Sequence, residues 1–529
     1  MLTIHSTVNT MTEFAFRSSA RYADPYNDVD LDVTFSAKGK VLRVPAFWAG
    51  ENVWKVRFAP PSRGTWRYVT TCSNHPDAGL HNQKGEIVAS AYRGKNSLLR
   101  HGRLRVSKNR RYLEHADGTP FFWLGDTWWM GLTKRIKWPH EFQMLAADRV
   151  EKGFSVVQII AGPLPDMTAF DPRGKNEAGF PFTRDFSRLN PEYYDLADLK
   201  IGHLVSVGLM PAIVGMWGYY LSEIGVEGVK RFWRYIVARY AAYPVVWCLA
   251  GEVTMPFYLS KTPKEDAAVQ RKGWTEVART VQKIDGFDNP ITIHPGQNAR
   301  DGEDPTVFEF EWHQTGHGGY DSILNTANSM IAAVGREPTM PVLVSEVNYE
   351  GILGRSWQDV ERMCFWLSVL NGACGHTYGA NGIWQASTKE QPYGPSPHGR
   401  CWGNTPWQEA MHLPGSRQLG LARKLLAELP WWQMTPHHEW VENGWDGKDY
   451  WRAVAAGIPK KLRVIYAPSV WNPPKVLGVE PGIRYTASYF DPTNGERIPL
   501  GEVKPGADRS WTPPVPPEVH DWVIIMRAS

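Results

Sequence analysis

Two apolar runs each end on a carboxylate: Val246-Trp247-Cys248-Leu249-Ala250-Gly251-Glu252 and Pro341-Val342-Leu343-Val344-Ser345-Glu346. A strand covered on both faces reads as a near-continuous apolar run, and only its C-terminal tip meets solvent. Such strands belong to parallel sheets, and in a (β/α)8 barrel their C-terminal tips form the active-site face. A carboxylate there is placed for chemistry more than for solubility. Two of them, far apart in sequence, are what a sugar-cleaving enzyme uses as acid and nucleophile.

The middle of the chain supplies such a barrel. From about Pro120 the pattern alternates between short apolar runs and helical periodicity, the signature of a parallel sheet with crossover helices. Eight strands are predicted, at 121–125, 155–161, 209–214, 245–252, 291–294, 307–313, 342–346 and 373–378. Helices are expected at 192–207, 229–242, 269–284 and 358–370, the first opened by the cap-then-proline pair Asn190-Pro191. A nucleotide-binding doubly wound sheet would want a glycine-rich turn after its first strand, and Gly125-Asp126-Thr127-Trp128 is not one.

On either side the period drops to two. Val29–Phe35, Val53–Phe58 and 65–70 read as alternating strands separated by Gly, Pro and Asn clusters, the spacing of a β-sandwich. A hairpin around Lys108-Asn109-Arg110 leads into the barrel. Beyond about Pro436, strands at 449–454, 462–466, 484–490 and 522–526 imply a second sandwich. The expected architecture is α/β: a TIM barrel over 99–435, flanked by an N-terminal β-sandwich (1–98) and a C-terminal β-sandwich (436–529).

Bulk properties narrow the function. A net charge of +4 on 529 residues argues for neither nucleic acid nor a membrane surface as partner. No apolar run is long enough to span a bilayer. The first 16 residues lack a basic stretch followed by an apolar one, and the five cysteines are few and odd in number. Both facts lead us to expect a cytoplasmic protein with reduced thiols. The 25 Trp and 21 Tyr offer flat apolar faces with polar handles, which suit the C–H faces of sugar rings as well as ordinary packing.

Glu252 and Glu346 are the candidate catalytic pair. The acid must keep its proton near neutrality, which desolvation favours. Glu252 is followed by Val253, Met255, Pro256 and Phe257, an apolar wall, and is assigned as acid/base. Glu346 is followed by Asn348 and Tyr349, whose amide and hydroxyl would hold an ionised nucleophile. Glu350 is a competitor expected to pair with a loop arginine such as Arg355. Candidate sugar contacts at the other strand tips are Asp126, Trp128, Gln158, Trp217, His294, His313, Gln314, Tyr349, Tyr378 and Trp384. No HxH or HExxH spacing joins the histidines near strand ends, so no metal and no cofactor are expected. No GxSxG elbow is present, which removes the usual serine hydrolase.

Several stretches carry a family resemblance. The run from Ala23-Asp24-Pro25-Tyr26-Asn27-Asp28-Val29 to Gly64-Thr65-Trp66-Arg67-Tyr68 resembles a sandwich domain often fused to apiosidase-like glycosidases. Asp117 to Trp128, with Phe121-Phe122-Trp123-Leu124-Gly125-Asp126, resembles the opening strand of that barrel family, which includes the apiosidases of glycoside hydrolase family 140. Asn190-Pro191-Glu192-Tyr193-Tyr194, Arg239-Tyr240 and Gly375-His376-Thr377-Tyr378-Gly379 fit the same pattern. The resemblance implies a retaining exo-glycosidase, with acid/base after strand four and nucleophile after strand seven. It also implies a terminal furanose such as arabinofuranose or apiose, or a small pyranose, as the sugar released. This chain has Glu252 where the family pattern has Asp. The alternatives are an inverting glycosidase and a carbohydrate-binding barrel with weak turnover. The flanking domains offer surfaces for a homo-oligomer.

Overall fold

A computed structural model describes residues 2–295, 300, 304–471 and 473–529. The centre is an eight-stranded, all-parallel sheet wound into a barrel. Its strands are β1 (Trp123–Trp128), β2 (Val156–Ile160), β3 (Met210–Trp217), β4 (Val246–Gly251), β5 (Ile291–Thr292), β6 (Glu311–Gln314), β7 (Val342–Glu346) and β8 (Gly375–Tyr378). Hydrogen-bonded neighbours run β5-β4-β3-β2-β1-β8-β7-β6. The seam between β5 and β6 is bridged by Glu309 N–H donating to the Ile291 carbonyl at 3.0 Å and Thr292 Oγ1 to that of Phe310 at 2.8 Å.

Among the described residues, seven helices of twelve residues or more clothe the barrel: α1 (His140–Lys152), α2 (Pro191–Ser206), α3 (Val226–Tyr240), α4 (Pro263–Ile284), α5 (Asp321–Val334), α6 (Gln358–Val369) and α7 (Pro414–Ala427). Between β5 and β6 the described residues hold only the 3-10 turn Pro305–Val307, so the strand expected from Val307 begins at Glu311 instead. Proline fixes the first turn of α2, α4 and α7, where a missing N–H costs nothing. Asn190 does not cap α2 with its side chain. Its amide donates to the Ala178 and Phe180 carbonyls and so ties down the loop ahead of the helix.

At the N-terminus a five-stranded sheet faces a three-stranded one (Thr12–Arg17, Phe47–Trp48, Val53–Phe58). Their inner faces interlock through aromatics, with Phe35 stacked on Phe58 at 3.8 Å. A small sheet, Leu104–Val106, Leu113–His115 and Pro120–Phe121, leads into β1. The C-terminal part is one six-stranded antiparallel sheet. Val464, Tyr466, Val523 and Ile525 turn to the barrel, while Ile465, Ile524 and Met526 pack under loops carrying Trp440, Val476 and Val479. Loops therefore take the place of the second sheet expected there. Its first expected strand, 449–454, is displaced to Val454–Ile458. Cys72, Cys248, Cys364 and Cys374 are buried free thiols and Cys401 is exposed. No helix of the described residues is long and apolar enough to cross a membrane.

Candidate active site

At the C-terminal face of the barrel lies a cavity of about 350 Å³, within the ~300–1,000 Å³ range of small-molecule sites. Glu252 follows β4 and Glu346 ends β7, and both line it. One side chain touches both carboxylates. Gln314, the last residue of β6, donates through Nε2 to Glu252 Oε1 at 2.9 Å and to Glu346 Oε1 at 3.3 Å. Those two bonds laid end to end cap the separation of the two Oε1 atoms at about 6 Å.

The two carboxylates sit in different surroundings. Glu346 is 4% exposed. His317 Nε2 lies 2.9 Å from its Oε1, and His294 Nε2 lies 3.0 Å from its Oε2. Burial pushes the pKa of Glu346 up, but the close approach of His294 and His317 more than reverses this and holds it well below the usual carboxylate range. Glu252 is half-buried and accepts from Trp217 Nε1–H at 3.0 Å. Desolvation, then the nearby negative charge of Glu346, raises its pKa despite the Gln314 hydrogen bond. Its backbone is left-handed, φ 41°, a conformation that costs a side-chain-bearing residue about 1–2 kcal/mol. Such outliers persist where the surrounding structure over-determines them.

The wall is aromatic. Trp129 meets Trp217 edge-on at 5.7 Å, and Tyr349 lies between His317 (4.7 Å) and a stacked Trp384 (5.5 Å). Trp129 Nε1–H donates to the Tyr349 hydroxyl at 3.0 Å. Met255 and Tyr258 extend the wall beyond Glu252, with Phe257 packed behind Tyr258.

Of the residues expected to contact sugar, Trp217, Gln314, Tyr349 and Trp384 line the cavity, and His294 stands beside Glu346. Five do not reach it. Asp126 is fully buried and accepts from Trp128 Nε1–H and Arg149 Nε, each at 2.6 Å, so Asp126 and Trp128 face the layer of α1. Tyr378 donates to Glu350 at 2.5 Å behind the barrel wall. Gln158 lies deeper inside the barrel, donating to the Ser345 carbonyl and to Thr377 Oγ1. His313 turns to Glu311 at 3.2 Å. Glu350 pairs not with Arg355 but with Tyr378 and the Gly415 N–H. Asn348 binds Gly319 and Ser356 rather than Glu346. Sequence reasoning missed Trp129, Asp166, Tyr258, His317 and Trp402 as cavity residues. Among the described residues, no cluster of three His, Cys, Asp or Glu is arranged to hold a metal ion.

A (β/α)8 barrel whose mouth encloses two carboxylates within an aromatic hollow has the build of a glycoside hydrolase. Residues 107–433 match the family described as "Apiosidase-like, catalytic domain", which is more than half of the chain, and the protein belongs to that family. It is a glycosidase, and its substrate is a carbohydrate. Residues 8–73 match a domain of unknown function, DUF5060. Among solved structures, one named "Glycoside hydrolase" superposes with a TM-score of 0.68 at 23% identity, over 81% of this chain and 97% of its own. A glycoside hydrolase family 5 protein from Bacteroides vulgatus ATCC 8482 gives 0.67 at 23%, covering 81% and 93%. A candidate glycoside hydrolase from the same strain gives 0.69 at 17%, covering 99% and 100%, so its likeness takes in the flanking sheets as well. At these identities the structural likeness speaks for the fold. No curated protein matches the chain.

Proposed function

We propose that the chain is a retaining, exo-acting glycoside hydrolase in which Glu346 is the nucleophile and Glu252 the acid/base. The observation that carries this reading is the Gln314 bridge. It caps the separation of their Oε1 atoms at about 6 Å, short of the ~6.5–9.5 Å of an inverting pair, which must admit a water, and this supports a retaining pair, whose spacing is ~5–5.5 Å. The opposed pKa shifts support the division of labour, since an ionised and a protonated carboxyl are what the first step consumes. Glu346 attacks the anomeric carbon while Glu252 gives its proton to the departing oxygen. Glu252 then takes a proton from water, which displaces Glu346 and releases the sugar. A small cavity favours one terminal residue over a run of polymer, and a furanose such as arabinofuranose or apiose, or a small pyranose, fits that size.

A panel of aryl glycosides tests the assignment. Glu346→Ala is expected to abolish turnover, and azide to restore part of it as glycosyl azide. Proton NMR of the first-formed anomer should show retention. Full activity in Glu346→Ala, or an inverted first product, would overturn the reading.

A further inference from the structure

A third carboxylate shares the cavity. Asp166 lies on the loop after β2, lines the hollow and is 7% exposed. Its backbone is left-handed like that of Glu252, with φ 57°. Ser396 Oγ donates to Asp166 Oδ1 at 2.8 Å, and Trp402 Nε1–H donates to Ser396 Oγ at 3.1 Å. The Asp166 N–H donates to the Tyr258 hydroxyl at 3.2 Å. Loops after β2, β4 and β8 thus converge on one acidic side chain, which adds a minor share to the raised pKa of Glu252 and otherwise takes no part in the hydrolytic steps above.

Its place in the cavity has a side. Tyr258 is within electrostatic reach of both Asp166 and Glu252, and Met255 and Tyr258 belong to the loop that follows Glu252. His398 and Trp402 complete this wall. Glu346 is enclosed by a different set, namely His294, His317 and Tyr349 with Trp384. In a retaining enzyme the acid/base stands on the side of the departing group, so Asp166 faces that group.

We propose that Asp166 determines specificity on the leaving-group side, and that this group is itself a sugar held through adjacent hydroxyls by the Asp166 carboxylate beside the Trp402 ring. The proposal rests on the assignment of Glu252 as acid/base. A carboxylate has about four acceptor sites; Ser396 occupies one, Tyr258 and Trp402 also stand within reach of the Asp166 side chain, and burial raises its pKa. Neighbouring sugar hydroxyls, which both donate and accept, can pair with the oxygen that Ser396 leaves exposed to the cavity, while an indole face suits the C–H face of the ring. A wholly apolar leaving group would bury the carboxylate without supplying hydrogen bonds, which is costly.

The test compares two substrates on the same protein sample. One is the 4-nitrophenyl glycoside that the wild-type chain turns over; the other is the same glycone linked to glucose, galactose or xylose. At least one disaccharide should be cleaved with a lower KM than the aryl glycoside. Asp166→Asn is expected to lower the disaccharide-to-aryl ratio of kcat/KM by about 10- to 100-fold, through KM, the range of one hydrogen bond to a charged group. A partly unfolded sample lowers both rates alike and leaves this ratio intact. Ser396→Ala, which keeps the carboxylate but frees it, should lower the ratio by a smaller factor. An unchanged ratio in both variants, a fall carried by kcat with KM unmoved (which would mean that Asp166 acts only on the Glu252 proton), or a wild-type chain that accepts no disaccharide, overturns the proposal. Failure of the hydrolase reading would look different, because the wild-type chain would then turn over no aryl glycoside at all.

Discussion

Gln314 donates one amide group to two acids that it also keeps apart, and this position has consequences for rate. Its hydrogen bonds join the two carboxylates, so their loss removes one of the contacts that orient each, leaving Glu346 to His294 and His317 and Glu252 to Trp217. Gln314→Leu, of similar volume, is expected to lower kcat/KM by about 10- to 100-fold, the worth of a hydrogen bond to a charged group. Steady-state kinetics beside a thermal melt would check this, and a melt that falls as steeply as the rate would contradict it. The pH profile belongs to the same pair. Glu252 has a raised pKa, so its proton persists above the ordinary carboxylate range, and the rate should fall only as pH rises through that value. Glu346 is held low, so the acidic limb should lie below the ordinary carboxylate range. Glu252→Gln should erase the basic limb and spare good leaving groups, while poor ones lose about 10²- to 10⁴-fold. A basic limb that survives the substitution would assign it to another group. Both glutamates were legible because each ends an apolar strand. His317 was not, since it lies in a loop beyond β6 where no periodicity fixes its direction.

Along each strand, the direction of side chains explains which expectations reached the cavity. Successive residues of a strand point to opposite faces, so a one-residue error in parity exchanges the barrel interior for the helix layer. On β1, Asp126 and Trp128 point at α1, and it is Trp129, one residue past the strand, that enters the cavity. On β6, the register shifts between His313 and Gln314, and the side chain that reaches the carboxylates is Gln314. Strands such as β3, β4 and β7 could be read because both of their faces are largely apolar, and the same property hides which face is which, whereas β6, Glu311–Gln314, is largely polar and starts four residues later than expected. Asp126 gains a structural role from this placement. It is paired with Arg149 of α1, and both side chains are fully buried. Arg149 also pairs with Asp148, so removing Asp126 leaves its charge only partly compensated and costs about 1–3 kcal/mol, the penalty of an unmade buried hydrogen bond. Asp126→Ala should therefore lower the urea midpoint sharply, whereas a sugar-binding role alone would leave the midpoint in place.

At the scale of the whole molecule, both flanking modules are clamped to the barrel by buried arginines. Arg57, 4% exposed on the N-terminal sandwich, donates to Asp198 of α2 at 3.1 Å and to the Arg239 carbonyl of α3 at 2.7 Å. At the other end Arg362 of α6 grips Asp521 through two hydrogen bonds, 2.8 and 2.7 Å, and Trp366 stacks on Tyr466 at 5.9 Å. The cavity itself is walled by residues between Trp129 and Trp402, all carried by the barrel and its loops. The N-terminal sandwich thus braces the enzyme without entering its site. Arg57→Ala leaves Asp198 with Arg239 as its remaining partner and removes one tie between sandwich and barrel, beside those of Arg231 to Asp30 and Arg234 to Asp32. Calorimetry should show the wild-type chain unfolding in one transition. In the variant a lower-temperature transition should separate, with a loss of about 1.5–3 kcal/mol at the junction, the worth of a hydrogen bond to a charged group. At 25 °C, well below that transition, kcat/KM should stay within about twofold of wild type, as expected for a surface remote from the reacting atoms. A variant that kept its melting profile but lost its rate would mean that the sandwich shapes the cavity after all.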